Sequence, residues 1–494
     1  MLKKIQQDFS YYSHEFKDNY RKGVHRLRTI LASRAQAQAF VNNAGGVAVV
    51  LGYEPETPDK NAQELYALLA ASPYIDDAVQ TFLGSIYEAG AESQDAMYSD
   101  SARCLEILHD PVMSRAAGAG TVSAGKWIAT LAGQSCNLYR DMNAVAASDI
   151  AMTAVAASET AMAAVVSNAT ALNALVTSQV ALNAVAASET AMAAVIGNVT
   201  ALNAVVTSQL AMNAVAASET AMTAVIANTA AFNTVVTSHV AMNAVASSYV
   251  AVAAVYESAV AVEAVKANET AWSTLTGASS AVMGKAAAKL AGLNPADYAD
   301  MDAIAASSTA MAAIEKSQVA KDAIAASDMA TAKYAVGAAG LKPADYANMA
   351  AVAASQTAMA AIIGNSTALN AVVSSSTAMA AIAASQTAMA AIAASSTALS
   401  AIAASTTALD AIYAKKKRMS GASASLSGKF IILQISNDNA FDTSQYGYAT
   451  LSDGSKPKWD NYKGKYAYFK QYKKIATYMK NDTDRDDWID YFQC

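Results

Sequence analysis

Apolar and polar residues recur with a period of ten along residues 141–412. In the repeat that begins at Ser148, alanine follows at Ala151, a large apolar residue at Met152 and valine at Val155, and the next repeat begins at Ser158. Apolar residues three, four and seven positions after the serine lie on one face of an α-helix. The pattern therefore predicts one short amphipathic helix in each decapeptide.

The polar residues of the repeat are typical of helix ends. Ser or Asn opens the repeats, and both are preferred N-caps because the side-chain oxygen accepts a bond from a free backbone N–H. Glu159, Glu189 and Glu219 follow a serine, in the first turn, where the helix dipole favours negative charge. Gly197 and Gly364 precede a cap asparagine, where a helix C-terminus favours a left-handed residue. Each decapeptide is thus predicted to be a two-turn helix that is capped and then broken.

Two other structures remain open for this region. In one continuous helix, ten residues at about 100° each leave the apolar face ~80° short of three turns, so a coiled coil would have to be tightly wound. Strands with a five-residue period are the second alternative, although the alanine content and the caps argue against them. One helix would extend ~400 Å at 1.5 Å per residue, whereas coils of three stacked helices would extend ~100 Å.

A second period of thirty residues lies on top of the first. The triplet Ser-Glu-Thr begins at Ser158, Ser188 and Ser218, and the asparagine caps and Val-Thr-Ser segments keep the same spacing. The spacing fits three short helices per coil of a solenoid, but it also fits recent duplication of a thirty-residue unit with no geometric meaning. In both cases, repeats that stack on their neighbours form a quasi-linear array.

The array is interrupted near residues 276–300 and 331–348. The segment "AGLNPADYADMDAI" at Ala291–Ile304 recurs as "AGLKPADYANMAAV" at Ala339–Val352. The proline in each segment stops one helix and starts another. We expect Tyr298 and Tyr346 to fill the resulting bends.

Three regions of different composition predict three domains. Residues 1–140 are predicted to form a helical domain, with helices over Gln63–Ala71 and Ile75–Ala89 and turns at Asn42–Gly46 and Tyr53–Asn61. Residues 141–412 form the alanine-rich repeat. Residues 413–494 are predicted to contain a hinge at Lys415–Arg418 and Ser420–Gly428, a strand at Lys429–Ser436 and a small tip domain. The expected fold is therefore mainly α, with a small C-terminal domain that contains β-structure.

Composition narrows the possible partners. The chain has 494 residues, 54% hydrophobic but only 7% aromatic, because alanine supplies much of the apolar content. The net charge of −6 is too mild to indicate nucleic acid or an acidic membrane surface. No stretch of ~18 consecutive apolar residues occurs, so no membrane span is expected. The N-terminal residues lack the apolar region of a secretory signal.

The sequence contains no motif that points to catalysis or to a bound cofactor. Cys104, Cys136 and Cys494 lack zinc spacing and are expected to be reduced, although an intermolecular bridge through Cys494 stays open. His239, in the repeat, is expected to be a solvated surface residue. "DTDRDDWID" at Asp482–Asp490 begins like a calcium loop, but Asp487 and Gln493 replace the required Gly and Glu. It is interpreted as an acidic surface helix. We therefore expect no enzyme activity, no metal and no cofactor.

Aromatic residues interleaved with lysines make the C-terminal region the candidate contact surface. Such residues stack on sugar rings or contact a protein receptor, although they could equally form the core of a small domain. Single-stranded nucleic acid is disfavoured because no known binding module is present. The candidate contact residues are Tyr446, Tyr448, Trp459, Tyr462, Tyr466 and Tyr468.

The "TAMAAVAAS" and "STAMAAIAAS" decapeptides resemble a repeat found in virion proteins of tailed bacteriophages, of the tail-fibre or appendage type. The matching stretches are Met142–Leu275, Met301–Ile324 and Met349–Ile412, roughly half of the chain. "SGKFIILQIS" at Ser427–Ser436 is similar to the start of a C-terminal domain in many such proteins. The resemblance implies a virion component assembled in the host cytoplasm. It implies that the N-terminal domain docks to the particle, and it implies no catalytic residues.

The expected function is accordingly a structural fibre or whisker. Its N-terminal domain would attach to the neck, tail or baseplate, and its tip would contact a host surface glycan, a receptor or another virion protein. The alternative is a bacterial surface adhesin with an alanine-rich stalk. Ice binding is disfavoured because Val180, Leu210 and Val240 interrupt the threonine column. The oligomeric state stays open, since a solenoid can be monomeric whereas a coiled coil would favour a trimer.

Overall fold

The computed structural model describes residues 11–16, 20–52, 60–87, 93–413, 415–420, 424–436, 447–452, 454–456, 458–459, 469–480 and 488–493. As predicted, the fold is mainly α-helical, with a small antiparallel sheet near the C-terminal end. The chain divides into two compact units, residues 1–245 and 246–494. Both units contain part of the decapeptide repeat.

The first unit begins with helices of ordinary composition. Both helices predicted here are confirmed, as Lys60–Ala70 and Ile75–Ile86. The turn predicted at Asn42–Gly46 is wrong in part, because the Asn43 side chain accepts a bond from Gly46 N at 2.7 Å and caps a helix that includes both glycines. Of the turn predicted at Tyr53–Asn61, residues 53–59 lie outside the described residues. Residues 11–16 are also helical. The other α-helices described before the repeat are Tyr20–Ala32, Arg34–Val41, Ala44–Leu51, Lys60–Ala70, Ile75–Ile86, Gln94–Tyr98, Ser101–His109, Pro111–Ala117 and Thr121–Leu131, followed by a 3-10 helix at Cys136–Leu138.

Each decapeptide of the repeat forms one short helix. The cap residue takes an extended conformation, with φ −98° and ψ 118° at Ser148, and its side chain accepts a bond from the N–H three residues later. Consecutive helices meet at bends of 99°, 96°, 104° and 99° at four joints within residues 149–227. The helices from the start of the repeat to the end of this unit are Met142–Ala146, Asp149–Ala157, Glu159–Val166, Ala169–Val176, Gln179–Ala186, Glu189–Gly197, Val199–Thr207, Gln209–Ala217, Glu219–Ala227, Thr229–Thr237 and His239–Ala246.

Within the first unit, helices of the regular repeat pack on the third helix after them. Asp149–Ala157 contacts Gln179–Ala186, which in turn contacts Gln209–Ala217, and the other two sides of the coil follow the same rule. Three helices therefore complete one coil of a solenoid, and the thirty-residue period has the geometric meaning that the sequence left open. The continuous helix and the five-residue strands are both wrong, because an extended cap residue separates the short helices of the regular repeat after about two turns each.

The three apolar columns form the solenoid core. Ala151, Met152 and Val155 are fully buried, and the same columns remain buried in the later repeats of the first unit. Alanine contributes no side chain beyond Cβ, so it lets neighbouring helices approach closely while Met and Val fill the space between the coils. His239 is exposed, as predicted.

The second unit continues the repeat and contains both interruptions. The longer helices Ser280–Leu290 and Asp328–Ala338 replace the two-turn helix at these places. The other α-helices of this unit are Tyr249–Glu257, Ala259–Lys266, Glu269–Thr276, Met301–Ala306, Ser308–Lys316, Gln318–Ala326, Met349–Ala354, Gln356–Ile363, Ser366–Val373, Ser376–Ala383, Gln386–Ala394, Ser396–Ala404 and Thr406–Tyr413, and the 3-10 helices are Pro295–Asp297 and Pro343–Asp345.

The structure at the interruptions occurs three times, whereas the sequence predicted two copies. Helix Thr121–Leu131 and the 3-10 helix after it, in the first unit, have the same order as the two copies in the second unit. Each long helix ends at a glycine with φ of +73°, +74° or +78°, at Gly133, Gly292 and Gly340. The residue after the glycine donates its N–H to a carbonyl five residues back, as in Leu293 N to Ala288 O at 2.9 Å. This is the Schellman ending of a helix.

Left-handed glycines were expected at Gly197 and Gly364, and this expectation is wrong. Gly364 has φ −74°, and positive φ is confined to other glycines among the described residues. The reason is that the extended cap residue alone turns the chain into the next helix.

Tyr346 was predicted to fill the bend at the second interruption. It is partly buried against the core, and its hydroxyl lies 3.5 Å from Ser355 Oγ, so it does pack at its bend.

A six-stranded antiparallel sheet follows the last helix. Its strands are β1 (Lys417–Ser420), β2 (Ser425–Ser436), β3 (Gly447–Leu451), β4 (Lys458–Trp459), β5 (Phe469–Lys480) and β6 (Trp488–Gln493), in the order β1-β6-β2-β5-β3-β4. The strand predicted at Lys429–Ser436 is confirmed as part of β2. The predicted hinge is wrong at Lys417, Arg418, Ser420 and Ser425–Gly428, because these residues belong to strands. Residues 421–423 lie outside the described residues.

The sheet covers the end of the second unit's solenoid. Ile431 and Leu433 of β2 and Phe492 of β6 share one buried cluster with Ile402 and Ile412 of the last coils. Alternate residues of the same strands, such as Phe430 and Ile432, belong to a separate cluster on the other face. Because side chains alternate along a strand, one face of the sheet closes the apolar end of the repeat and the other face has its own core.

Candidate functional site

The cap serine joins one coil to the next. Ser188 Oγ accepts a bond from Ala191 N at 3.2 Å and donates one to Ala156 O, in the preceding coil, at 2.5 Å. A hydroxyl has one proton and two lone pairs, so a single atom can make both bonds. It therefore caps its own helix and also satisfies a free carbonyl at the end of another helix.

This joint recurs in both units at a separation of 32 residues. The donors and acceptors are Ser178 to Ala146 O at 2.6 Å, Ser218 to Ala186 O, Ser238 to Val206 O at 2.9 Å, Ser385 to Ala353 O at 2.6 Å and Ser405 to Val373 O at 2.6 Å. A long helix changes the separation to 27 residues, as in Ser158 to Leu131 O, Ser317 to Leu290 O and Asn365 Nδ2 to Ala338 O. The joints thus set the register between coils.

A buried lysine supports two of the three long helices. Lys333 Nζ bonds Asp302 Oδ1 at 2.6 Å and lies 3.5 Å from Pro343 O in the 3-10 helix. Lys126, at the corresponding position in the first unit, bonds Asp95 and lies 3.4 Å from Cys136 O. Sequence reasoning missed these residues, although each lysine lies seven positions before the glycine at the end of its long helix, Gly133 or Gly340.

The structure describes two of the six predicted contact residues. Tyr448 lies in β3 and Trp459 in β4, and these strands pair with Gly447 opposite Trp459 and Tyr448 opposite Lys458. The edge of the sheet formed by β3 and β4 therefore holds both residues. The other predicted contact residues, Tyr446, Tyr462, Tyr466 and Tyr468, lie outside the described residues.

Asp490 forms an ion pair between strands β1 and β6 that the sequence did not predict. It is fully buried, accepts two bonds from Arg418 at 2.6 and 2.9 Å, and lies 3.6 Å from Lys416 Nζ. The Arg418 guanidinium also stacks 3.7 Å from the Trp488 ring centre. The acidic surface helix predicted at Asp482–Asp490 is wrong for residues 488–490, which form strand β6. The remaining residues of that segment, 482–487, lie outside the described residues.

The first unit contains two cysteines among its described residues. Cys104 and Cys136 are free thiols, as predicted for them, and both are buried. Burial raises the pKa of the Cys104 thiol to about 12, so it stays protonated at neutral pH. Cys494 lies outside the described residues. Within the described ranges, no group of three or more His, Cys, Asp and Glu side chains could hold a metal ion.

No single helix among the described residues has the length and apolar character needed to cross a membrane. Six pairs of consecutive helices reach that length and composition together, but each pair bends by 96–104° at its joint.

No family model matches the chain, and no curated protein matches it either.

Proposed function

We propose that the protein is a structural component of a tailed-phage particle, a fibre or whisker in which the solenoid is the spacer. The observation that supports this most directly is the cap-serine joint, which repeats along the array. A coil that bonds and packs only on its neighbours forms an element whose length is set by the number of coils. Such an element separates its two ends, and the proposal assigns it no catalytic role.

The domains before and after the repeat support the same proposal. Before the repeat, Trp127 is fully buried and donates Nε1–H to Cys104 O at 3.0 Å, within a helical domain of mixed composition. At the other end the sheet covers the last coil. In the proposal the first domain attaches to the neck, tail or baseplate, and the sheet domain contacts the host surface or another virion protein.

An epitope inserted after Gly454 tests this proposal. Gly454 lies in an exposed turn with φ +82°, and no atom lies within 4 Å of the position of an added Cβ. This site is preferable to removal of residues 420–494, which would expose Ile402 and Ile412 at the end of the solenoid. A second epitope at the N-terminus supplies the comparison.

We expect gold-labelled antibody to bind purified phage particles, with the Gly454 epitope farther from the particle body than the N-terminal one. Reversal of this order would contradict the proposed orientation. Labelling of phage-free bacteria, with none on particles, would replace the proposal with the cell-surface adhesin.

A further inference from the structure

A solvent-open cleft of about 260 Å³ lies in the second unit, beside the second interruption of the repeat. Its walls come from helices Ser308–Lys316, Gln318–Ala326, Asp328–Ala338 and Ser366–Val373. The long helix Asp328–Ala338, which replaces a two-turn helix of the regular repeat, forms one of these walls. The Ser375 hydroxyl reaches back 50 residues, to Ala325 O at 2.6 Å, instead of the usual 32.

Two carboxylates in the cleft are held in place by neutral donors. Tyr334 is buried and donates its hydroxyl to Glu315 Oε1 at 2.5 Å, while Gln318 Nε2 donates to Asp322 Oδ1 at 2.8 Å. Burial, and then the bond to Glu315, raise the pKa of Tyr334, so the phenol remains a donor at neutral pH. Each carboxylate retains further lone pairs for a ligand.

The other lining groups add donors and an apolar wall. Lys321 contributes an ammonium group, Asn370 contributes an amide that both donates and accepts, and Ile324 and Ala371 are apolar. A cationic ligand would need acceptors only and would be repelled by Lys321, whereas an anion would be repelled by Glu315 and Asp322. A hydroxyl group is donor and acceptor at once, so several hydroxyls on one small molecule match this mixed set.

We propose that this cleft binds one neutral pyranose unit of a glycan, with its hydroxyls against Glu315, Asp322 and Asn370 and its C–H face on the Ile324 side. Ligand pockets for drug-sized molecules run from about 300 to 1,000 Å³, so the cleft holds one sugar ring rather than an oligosaccharide. The inference concerns the purified chain and stands whether or not the protein belongs to a phage particle.

The chain supplies a matched control for Asn370. The same seven residues, "TALNAVV", occur at 200–206 and at 367–373. In both copies the next hydroxyl bonds back to the asparagine carbonyl, Thr207 to Asn203 O at 2.7 Å and Ser374 to Asn370 O at 2.8 Å. Asn203 is exposed on a regular coil and does not line the cleft.

Saturation-transfer NMR on the full-length protein tests the proposal, with methyl glycosides of glucose, galactose, mannose and N-acetylglucosamine as probes and arginine methyl ester as the cationic comparison. We expect at least one glycoside to bind with a Kd on the order of 1 mM. Asp322→Ala and Asn370→Ala should each weaken it about tenfold, since each removes a hydrogen bond to the ligand. Asn203→Ala should leave it unchanged, and circular dichroism should show all three variants folded, because the three side chains are exposed.

Three results would overturn the proposal. They are the absence of binding by every glycoside, binding of arginine methyl ester alone, and glycoside binding that both cleft variants leave intact. The second result would assign the cleft to a basic side chain of a partner protein.

Discussion

At the residue scale, the structure depends on a hydroxyl that makes two bonds. Ser188 both caps helix Glu189–Gly197 and donates to Ala156 O. Only the first of these bonds could be predicted from the sequence, because capping is local whereas the acceptor lies 32 residues earlier. Serine at a cap position reveals where a helix starts, but not which carbonyl will lie beside it.

Replacement of that hydroxyl should weaken the joint between two coils. We expect Ser188→Ala to lower local stability by about 2 kcal/mol, about 1 from the cap and about 1 from the bond between coils. Amide hydrogen exchange of helix Glu189–Gly197 measures the loss. Ser167→Ala is the control, because Ser167 is exposed and its Oγ bonds only carbonyls of its own helix, with Ala163 O at 2.7 Å. Equal effects of the two substitutions would refute the role of the joint.

Cys104 should be protected from alkylation in the folded protein. Its pKa rises from 9.0 to about 12 on burial, so the folded state keeps the proton to higher pH than the unfolded state does. The resulting contribution to stability is complete below pH 9 and is lost as pH rises towards 12. We expect iodoacetamide at pH 9 to modify Cys104 in urea but not in the native protein, as measured by mass spectrometry. Rapid native modification would contradict this burial.

At the element scale, the cap residue and the Schellman glycine are two different ways to end a helix. The short helices end at an extended cap residue, whereas the three long helices end at Gly133, Gly292 and Gly340. The sequence predicted left-handed glycines, but at Gly197 and Gly364. The sequence Gly-Asn does not reveal whether the glycine takes a left-handed conformation or stays helical before the cap asparagine of the next helix.

Alanine substitutions should separate these two kinds of glycine. Gly292 has φ +74° with nothing within 4 Å of an added Cβ, so Gly292→Ala should cost about 1–2 kcal/mol through backbone strain alone. Gly364 has φ −74° and only ordinary contacts, so Gly364→Ala should be neutral or stabilise by about 0.4–1 kcal/mol. Thermal unfolding of the two variants measures the difference in sign, and the same sign for both would be inconsistent with these helix endings.

The Arg418–Asp490 pair should hold β1 to β6. We expect Arg418→Met to cost about 2–4 kcal/mol, because it leaves the buried Asp490 carboxylate without its bidentate partner. Arg418→Met with Asp490→Leu should recover most of that loss, since no charge then remains buried. Lys417→Met is the control on the same strand, because Lys417 is exposed and bonds only Gln493 Oε1 among the described residues. Urea unfolding followed at Trp488 measures the losses, and a double variant no better than Arg418→Met would contradict the account.

At the scale of the whole molecule, the helices could be predicted from the periodicity of the sequence. The contacts between segments that lie far apart in the sequence could not. The decapeptide columns predicted a core that the structure confirms at Ala151, Met152 and Val155. The prediction of a hinge was wrong at Arg418, because this residue pairs with Asp490 in strand β6, 72 residues later in the chain. A partner so distant in sequence could not be predicted. The polar cleft could not be predicted, since its walls come from helices that only the second interruption brings together. The sequence also left open whether a thirty-residue period meant a coil.

A distance between two spin labels tests the three-helix coil most directly. Thr153 and Asn213 are exposed and occupy corresponding positions in helices Asp149–Ala157 and Gln209–Ala217, which both contact Gln179–Ala186. Nitroxides at these positions, in a Cys494→Ser background, should give a pulsed-EPR distance near 20 Å, since two steps between stacked helices cover about 16–20 Å. A value near 90 Å, the length of about 60 residues of continuous helix, would contradict the solenoid.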